Sequence, residues 1–178
     1  MALKPTLYKL TLNLVDMNRD IYLTDKLTLV LHPSETETRM MVRLLAYALN
    51  HESDLAFSRG LSATDEPDLW TVQGDGAVHL WIEVGQASAE RLRKGVSRAD
   101  RVRLYAYGSE TDIWWNKQGG ALSELPKTEI YRFDPAGVDS LAALCSRNME
   151  LTLTISEEQI FLSDGEQQAE VSLSRLSQ

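Results

Sequence analysis

Alternation of apolar and polar residues opens the chain and predicts a β-hairpin. Residues 7–14 read LYKLTLNL, which puts three leucines on one face of a half-buried strand. Residues 16–20 supply a turn, and the run from Tyr22 to Leu31 predicts the return strand. The first element of the fold is therefore expected to be an N-terminal β-hairpin.

The strongest helical pattern runs from Ser34 to His51, where apolar residues recur every three or four positions. Ser34 followed by Glu37 fits a capping box, in which each side chain satisfies the other residue's free backbone N–H. Beyond it we predict strands at 55–58, 68–73 and 77–84, a basic helix at 88–99 and a strand at 102–107. The central order is therefore helix, three strands, helix and strand.

The rest of the chain is predicted to add a β-rich region to this core. The pattern predicts a helix from Thr111 to Gln118 that ends at Gly119-Gly120. We then predict a strand at 129–133, a helix at 136–146, and small antiparallel strands at 150–155, 159–162 and 169–173. Without repeats or a linker-like stretch, the sequence predicts a single α/β domain over residues 1–178.

Composition narrows the classes of function. The 178 residues include one cysteine, so an intrachain disulfide and a thiol cluster for zinc are both excluded. The N-terminus lacks an apolar signal region, and the longest apolar run is too short to span a bilayer, which predicts a cytoplasmic protein without membrane contact. A net charge of −8 argues against general nucleic-acid binding.

Positive charge is nevertheless concentrated in one stretch. Residues 87–103 contain six basic residues against two acidic ones. Arg91, Lys94 and Arg98 recur three and four positions apart, so they share one face of the predicted helix. This face is either a patch that contacts the phosphates of a nucleic acid or a set of intramolecular ion pairs.

Two acidic residues are the candidate ligands of a metal site. Asp68 follows a proline at the start of one predicted strand, and Glu83 lies near the end of the next. Paired carboxylates suit Mg²⁺, which activates water and stabilises charge on a scissile phosphate. The alternative is a turn aspartate, together with a strand-end glutamate that pairs with Arg91 or Lys94.

Two further features have two interpretations each. Glu37 is either a third, helix-borne acid of the same site or only a member of the capping box. Trp70 and Trp81 offer either stacking surfaces for bases or core packing. The sequence assigns no oligomeric state.

Several short motifs resemble those of the YaeQ family of bacterial proteins. They are MALK at 1–4, HPSET at 32–36, RMM at 39–41, RGL at 59–61, DEP at 65–67, LWIE at 80–83 and IWW at 113–115. The resemblance covers essentially the whole chain. It implies a variant of the PD-(D/E)XK, or restriction-endonuclease-like, nuclease fold, with a biochemical function that the family leaves unsettled.

The nuclease pattern that this resemblance implies lacks one residue here. Nucleases of this group place a lysine two residues after the second acid, and the corresponding position is Gly85. Gln86 is then expected as an auxiliary ligand or water-positioning residue, with Lys94 as the replacement for the lysine and Arg91 as a second candidate. Asp68, Glu83, Gln86 and Lys94 are thus the predicted catalytic set.

The sequence therefore predicts a Mg²⁺-dependent, nuclease-like phosphodiesterase or nucleic-acid-processing protein. The main alternative is a module that binds nucleic acid or protein and has kept the nuclease fold without the chemistry. A third hypothesis is an interaction protein that uses exposed aromatic residues on a homodimer face.

Overall fold

The computed structural model describes residues 4–59 and 63–177, which form a mixed α/β fold of ten β-strands and four α-helices. The strands are β1 (Thr6–Asp16), β2 (Ile21–Leu31), β3 (Leu55–Phe57), β4 (Leu69–Val72), β5 (Val78–Val84), β6 (Ala99–Ala106), β7 (Thr128–Phe133), β8 (Asn148–Ser156), β9 (Gln159–Ser163) and β10 (Gln168–Arg175). The helices are α1 (Glu37–Leu49), α2 (Ala89–Arg98), α3 (Thr111–Ser123) and α4 (Pro135–Asp139). Residues 1–3 of the MALK motif and residues 60–61 of the RGL motif lie outside the described residues.

The chain divides into two compact units, and each unit combines separate stretches of sequence. The first contains described residues 4–49 and 134–173, and the second contains described residues 50–133 and 174–177. The predicted single domain over residues 1–178 stays a prediction.

The first unit is built on the predicted N-terminal hairpin, which is confirmed. β1 and β2 pair antiparallel from Thr6 opposite Leu31 to Asp16 opposite Ile21. β1 also pairs in parallel with β8, and β8, β9 and β10 continue as antiparallel neighbours. The alternation in β1 buries its inward leucines almost completely, because successive side chains of a strand point to opposite faces.

Helix α1 begins later than the sequence pattern predicts, and its cap is a different residue. The hydroxyl of Thr36 accepts a hydrogen bond from the backbone N–H of Arg39 at 3.1 Å. Ser34 instead lies in the preceding turn, with its hydroxyl 2.8 Å from Nδ1 of His32. The predicted capping box of Ser34 and Glu37 is therefore wrong, because it is the Thr36 hydroxyl that accepts from a free N–H of the first turn, that of Arg39.

The two arginines of α1 support the fold. Glu35 holds both, with distances of 2.8 Å to Nη1 of Arg39 and 2.8 Å to Nε of Arg43. Arg43 is buried, and its Nη2 donates to the carbonyl of Val30 at 2.8 Å. A buried arginine with these partners ties the start of α1 to the end of β2.

The second unit contains the strands that position the candidate site. β3, β4 and β5 pair antiparallel, whereas β5, β6 and β7 pair in parallel. Helix α2 connects β5 to β6 as a crossover, which a parallel pair requires. Along the chain, α1, β3, β4, β5, α2 and β6 follow the predicted order of helix, three strands, helix and strand.

The core of the second unit is organised around Trp81, which is completely buried on β5. Helix α2 passes over the indole at Gly95, where a Cβ atom would lie only 2.7 Å from Cδ1 of Trp81. Leu92 of α2 and Val102 of β6 complete the packing around the ring. Glycine at position 95 therefore sets how closely α2 approaches the sheet.

The later helices differ in length from their predictions. α3 does not end at Gly119-Gly120 but continues to Ser123, because Gly119 packs against the ring of Trp115 and does not act as a cap. The predicted helix at 136–146 is the short α4, followed by a 3₁₀ turn at Ala142–Leu144. Within the described residues, no helix is long and apolar enough to cross a membrane.

The contact between α2 and Trp81 can be tested by adding one methyl group. We expect Gly95→Ala to lower the free energy of unfolding by about 1–3 kcal/mol, because the methyl group overlaps a ring that cannot move aside. Gly120→Ala is the matched control in α3, where nothing lies within 4 Å and alanine favours the helix by about 1 kcal/mol. Urea denaturation of both variants checks this, and equal stability of the two would contradict the proposed close packing.

Candidate functional site

The pairing of β4 with β5 places Asp68 and Glu83 side by side. Leu69 lies opposite Ile82 in the antiparallel register, and the N–H of Asp68 donates to the carbonyl of Ile82 at 3.0 Å. Oδ2 of Asp68 accepts from the N–H of Val84 at 2.8 Å. The side chain of Asp68 thus lies across the end of β5, where Glu83 is its neighbour, and both residues are buried.

Glu83 lies on the face of β5 that α2 covers. Strand alternation puts it on the same side as Trp81, whose Nε1 donates to Oε1 of Glu83 at 3.1 Å. Nε of Arg91 donates to the same oxygen at 2.9 Å. Among the described residues, both hydrogen bonds to Glu83 are accepted by Oε1 and none by Oε2.

The surroundings of Glu83 favour its protonated form. Burial, followed by the negative charge of Asp68, raises the pKa of Glu83 to about 7. The hydrogen bonds from Arg91 and Trp81 act in the opposite direction on this pKa but are outweighed. Two buried carboxylates that repel each other in this way form a site that a cation would stabilise.

Arg91 holds the site together from helix α2. Its Nε bonds to Glu83, while Nη1 and Nη2 donate to the backbone carbonyls of Thr64 and Glu66. One guanidinium therefore joins β5 to the segment that leads into Asp68. Arginine suits this bridge better than lysine does, because the planar guanidinium directs several N–H donors at once.

Lys94, the predicted replacement for the missing lysine, is exposed on α2. In the part of the chain that the structure describes, its ammonium makes no hydrogen bond or ion pair. The contact expected of such a replacement is made by Arg91. A catalytic role for Lys94 stays a prediction.

Gly85 adopts a backbone conformation that explains why no lysine stands there. Its φ angle is +101°, a left-handed region that favours glycine, and its N–H donates to the carbonyl of Tyr105 at 2.8 Å. Any side chain at this position would be strained. Gln86 follows on the surface, where Nε2 donates to the carbonyl of Tyr107 at 3.2 Å, and its role as an auxiliary ligand stays a prediction.

The predicted basic face is partly engaged in internal contacts. Nη1 of Arg98 donates to the carbonyl of Asp65 at 2.8 Å, and its guanidinium lies 5.5 Å from the ring centroid of Trp81. Arg91 is paired with the carboxylate of Glu83, whereas Lys94 is exposed and makes no hydrogen bond or ion pair among the described residues. Contact of this patch with nucleic acid stays a prediction.

Glu37 belongs to the first unit, where it has partners of its own. It is the first residue of α1, and Oε2 lies 3.5 Å from the hydroxyl of Tyr8. Burial first, then a hydrogen bond to Glu37, raises the pKa of the Cys145 thiol to about 12, so this cysteine is unreactive as a nucleophile at neutral pH. The role of Glu37 as a third acid stays a prediction.

The raised pKa of Glu83 gives a pH dependence of stability with a definite sign. Because the folded protein binds this proton more tightly than the unfolded chain, the free energy of unfolding should fall as pH rises from about 4.5 to about 7. In the Glu83→Gln variant, this decrease in the free energy of unfolding should be smaller by up to about 3 kcal/mol. Urea denaturation at pH 5 and pH 8, in buffer containing a chelator, measures it.

Glu90→Gln is the control for this measurement, because it removes one carboxylate from the exposed surface of helix α2, which follows β5. The wild type and the control should show the same dependence on pH. Parallel curves for Glu83→Gln and the wild type would show that Glu83 has an ordinary pKa.

Comparison with known proteins identifies the family. The model for the YaeQ family, described as "YaeQ protein", matches residues 1–173. Proteins described as "Uncharacterized protein YaeQ" from Salmonella typhi and Escherichia coli K12 are each 37% identical over 100% of this chain and 99% of their own.

Two solved structures carry the same fold. The crystal structure of the YaeQ protein from Xanthomonas axonopodis pv. citri has a TM-score of 0.93 at 34% identity, over 98% of this chain and 99% of that one. The crystal structure of the YaeQ protein from Pseudomonas syringae has a TM-score of 0.92 at 42% identity, over 98% of this chain and 97% of that one. This chain belongs to the YaeQ family.

Proposed function

We propose that this protein is a Mg²⁺-dependent phosphodiesterase that acts on nucleic acid, with Asp68 and Glu83 as the metal ligands. The observation that carries the proposal is the pair of buried carboxylates on neighbouring strands, one of which has a raised pKa. Two buried acids that repel each other add little to the stability of the fold, and a bound cation would relieve the repulsion that Arg91 leaves.

The donor set suits Mg²⁺. Carboxylate oxygens are its preferred protein ligands, and it commonly binds through one or two of them while water and substrate oxygens fill the other positions. Among the described residues, no group of three or more His, Cys, Asp or Glu side chains could hold a metal. The proposed site therefore relies on two acidic ligands, with water and substrate oxygens in the other positions. A bound Mg²⁺ would supply the positive charge that stabilises a scissile phosphate and activates water.

The protein's own residues have separate roles in this proposal. The N–H of Val84 holds Oδ2 of Asp68 at the end of β5. The pKa of Glu83 near 7 allows this residue to exchange a proton with solvent at neutral pH. Arg91 positions both, through Glu83 and through the carbonyls that precede Asp68.

The order of elements supports the same proposal. Helix, three strands, helix and strand is the order of the PD-(D/E)XK core, and Asp68 and Glu83 take the places of its two acids. Arg91 then provides the positive charge that the lysine provides in that group. Assignment to this nuclease fold is part of our proposal.

A non-catalytic binding module is the second candidate, and one specific observation favours it. Oε1 of Glu83 is held by the guanidinium of Arg91 at 2.9 Å, so the buried charge has an internal partner even without a metal. Gly85, with its positive φ, also excludes the lysine that assists catalysis in the nuclease group. The two candidates differ in whether phosphodiester bonds are broken.

The test is cleavage of end-labelled single-stranded DNA and RNA oligonucleotides in Mg²⁺ or Mn²⁺. We expect Glu83→Gln to lower the rate at least about 100-fold, since it removes a ligand. Arg91→Ala should lower the rate about 10–100-fold, as expected when the partner that orients a ligand is lost.

Arg93→Ala is the matched control for Arg91→Ala, because Arg93 is an exposed arginine of the same helix. The Arg93→Ala variant should cleave the oligonucleotides at the same rate as the wild type. Equal cleavage by the wild type and Glu83→Gln would place the activity elsewhere, and no cleavage by the wild type would support the binding module.

A further inference from the structure

The sheet of the second unit carries positive charge on the side that faces away from helix α2. Trp81 of β5 packs against α2 and lies beside Val102 of β6 in the parallel register. Because successive side chains of a strand point to opposite faces, Arg101 and Arg103 lie on the other side of the sheet. Both belong to the basic stretch of residues 87–103, so the charge of that stretch is divided between two surfaces.

Three arginines gather around two side chains of β7. The carboxylate of Glu129 lies 3.2 Å from Nη2 of Arg101 and 2.9 Å from Nε of Arg103. The hydroxyl of Tyr131 donates to Glu129 at 2.9 Å, and the guanidinium of Arg175, at the end of β10, lies 5.9 Å from the ring centroid of Tyr131. The arginine cluster is therefore defined as Arg101, Arg103 and Arg175.

One carboxylate cannot neutralise three guanidinium groups. Among the described residues, Glu129 is the only acid within ion-pair distance of Arg101 or Arg103, and Arg175 forms no ion pair. Three arginines and one glutamate leave a net charge of +2 on a chain whose total charge is −8. Burial alone would raise the pKa of Glu129, yet its two arginine partners and a hydrogen bond from Tyr131 hold that pKa below its usual value. The cluster is therefore a local region of positive potential.

Each arginine of the cluster keeps N–H groups that have no partner among the described residues. Arg101 uses only Nη2, on Glu129. Arg103 uses Nε on Glu129 and Nη1 on the side-chain oxygen of Asn50, while Arg175 uses only Nε. The side chain of Arg101 is 49% exposed and that of Arg175 is also exposed. No buried side-chain nitrogen among the described residues lacks a partner, so Nη2 of Arg103 also reaches solvent.

We propose that the arginine cluster binds the phosphate backbone of a nucleic acid. A guanidinium presents its N–H groups in a planar fork that matches the oxygens of a phosphate. A surplus charge that is spread over several side chains suits a ligand with repeated negative charges, which the phosphodiester backbone supplies. The choice of nucleic acid rests on the proposed function. Because Glu83 lies on the α2 side of the sheet, the cluster would contact nucleotides remote from the scissile bond.

Binding can be measured separately from cleavage, in buffer that contains a chelator. A fluorescein-labelled single-stranded oligothymidylate is titrated with the protein, and its fluorescence anisotropy is followed over a range of salt concentrations. The variant Arg101→Gln/Arg175→Gln removes two exposed guanidinium groups and leaves Arg103 in place beside Asn50. We expect it to bind at least about tenfold more weakly at low salt. The slope of log affinity against log salt concentration should fall by about 1.4, since each lost phosphate contact removes about 0.7 for a single strand.

Arg93→Gln/Lys94→Gln is the matched control, because it removes two exposed positive charges from α2 and gives the same net charge. Its affinity and its salt slope should equal those of the wild type. Urea denaturation shows whether both double variants are folded. The single variant Arg175→Gln breaks no ion pair among the described residues, and its slope should fall by about 0.7. This variant keeps the test decisive if Arg101→Gln/Arg175→Gln does not fold.

The outcomes separate this inference from the proposed function. An unchanged slope in the variants of the cluster, an equal loss in the α2 control, or no binding by the wild type would overturn the inference even if the protein cleaves oligonucleotides. Displacement of the oligonucleotide by inorganic phosphate at matched ionic strength would show that the ligand is a single phosphate and would also overturn it. Binding by Asp68→Asn/Glu83→Gln with the slope of the wild type would support the cluster whether or not cleavage occurs.

Discussion

The candidate site depends on the close contact between helix α2 and Trp81. Gly95 lets the helix lie against the indole, and Arg91 and Arg98, four residues before and three after, therefore share the helical face above the ring. From that face Arg91 reaches Glu83. A larger residue at 95 would push the helix outward and separate the guanidinium from the carboxylate.

The second determinant is the cost of burying charge. Asp68 and Glu83 are both buried, and the repulsion between them is only partly relieved by Arg91, which is why the pKa of Glu83 stays raised. Loss of Arg91 would leave a buried charge without its partner, which is strongly destabilising. The two acids themselves repel each other and add little to the stability of the fold. In our proposal, a cation that binds there would relieve the repulsion between the two carboxylates.

Strand and helix periodicity predicted most elements, and strand alternation accounts for the position of Trp81 and Glu83 on one face of β5. The sequence pattern predicted Ser34 as the cap of α1, whereas the cap is Thr36, whose hydroxyl can accept the same kind of hydrogen bond. It also left Arg91 and Lys94 as alternatives. The partners that distinguish them are backbone carbonyls of a loop distant in sequence, and no residue pattern encodes these contacts. The positive φ of Gly85 occurs directly after β5, where its N–H bonds to the carbonyl of Tyr105 in β6, and the sequence did not predict it.

The central claim is that Asp68 and Glu83 bind a divalent cation, and calorimetric titration of Mg²⁺ and Mn²⁺ tests it most directly. The wild type and the control Asp65→Asn/Glu90→Gln, which removes two exposed acids near the site, should bind with equal affinity. Asp68→Asn/Glu83→Gln should show no binding. Binding that is unchanged in this double variant, or absent from the folded wild type, would contradict the account.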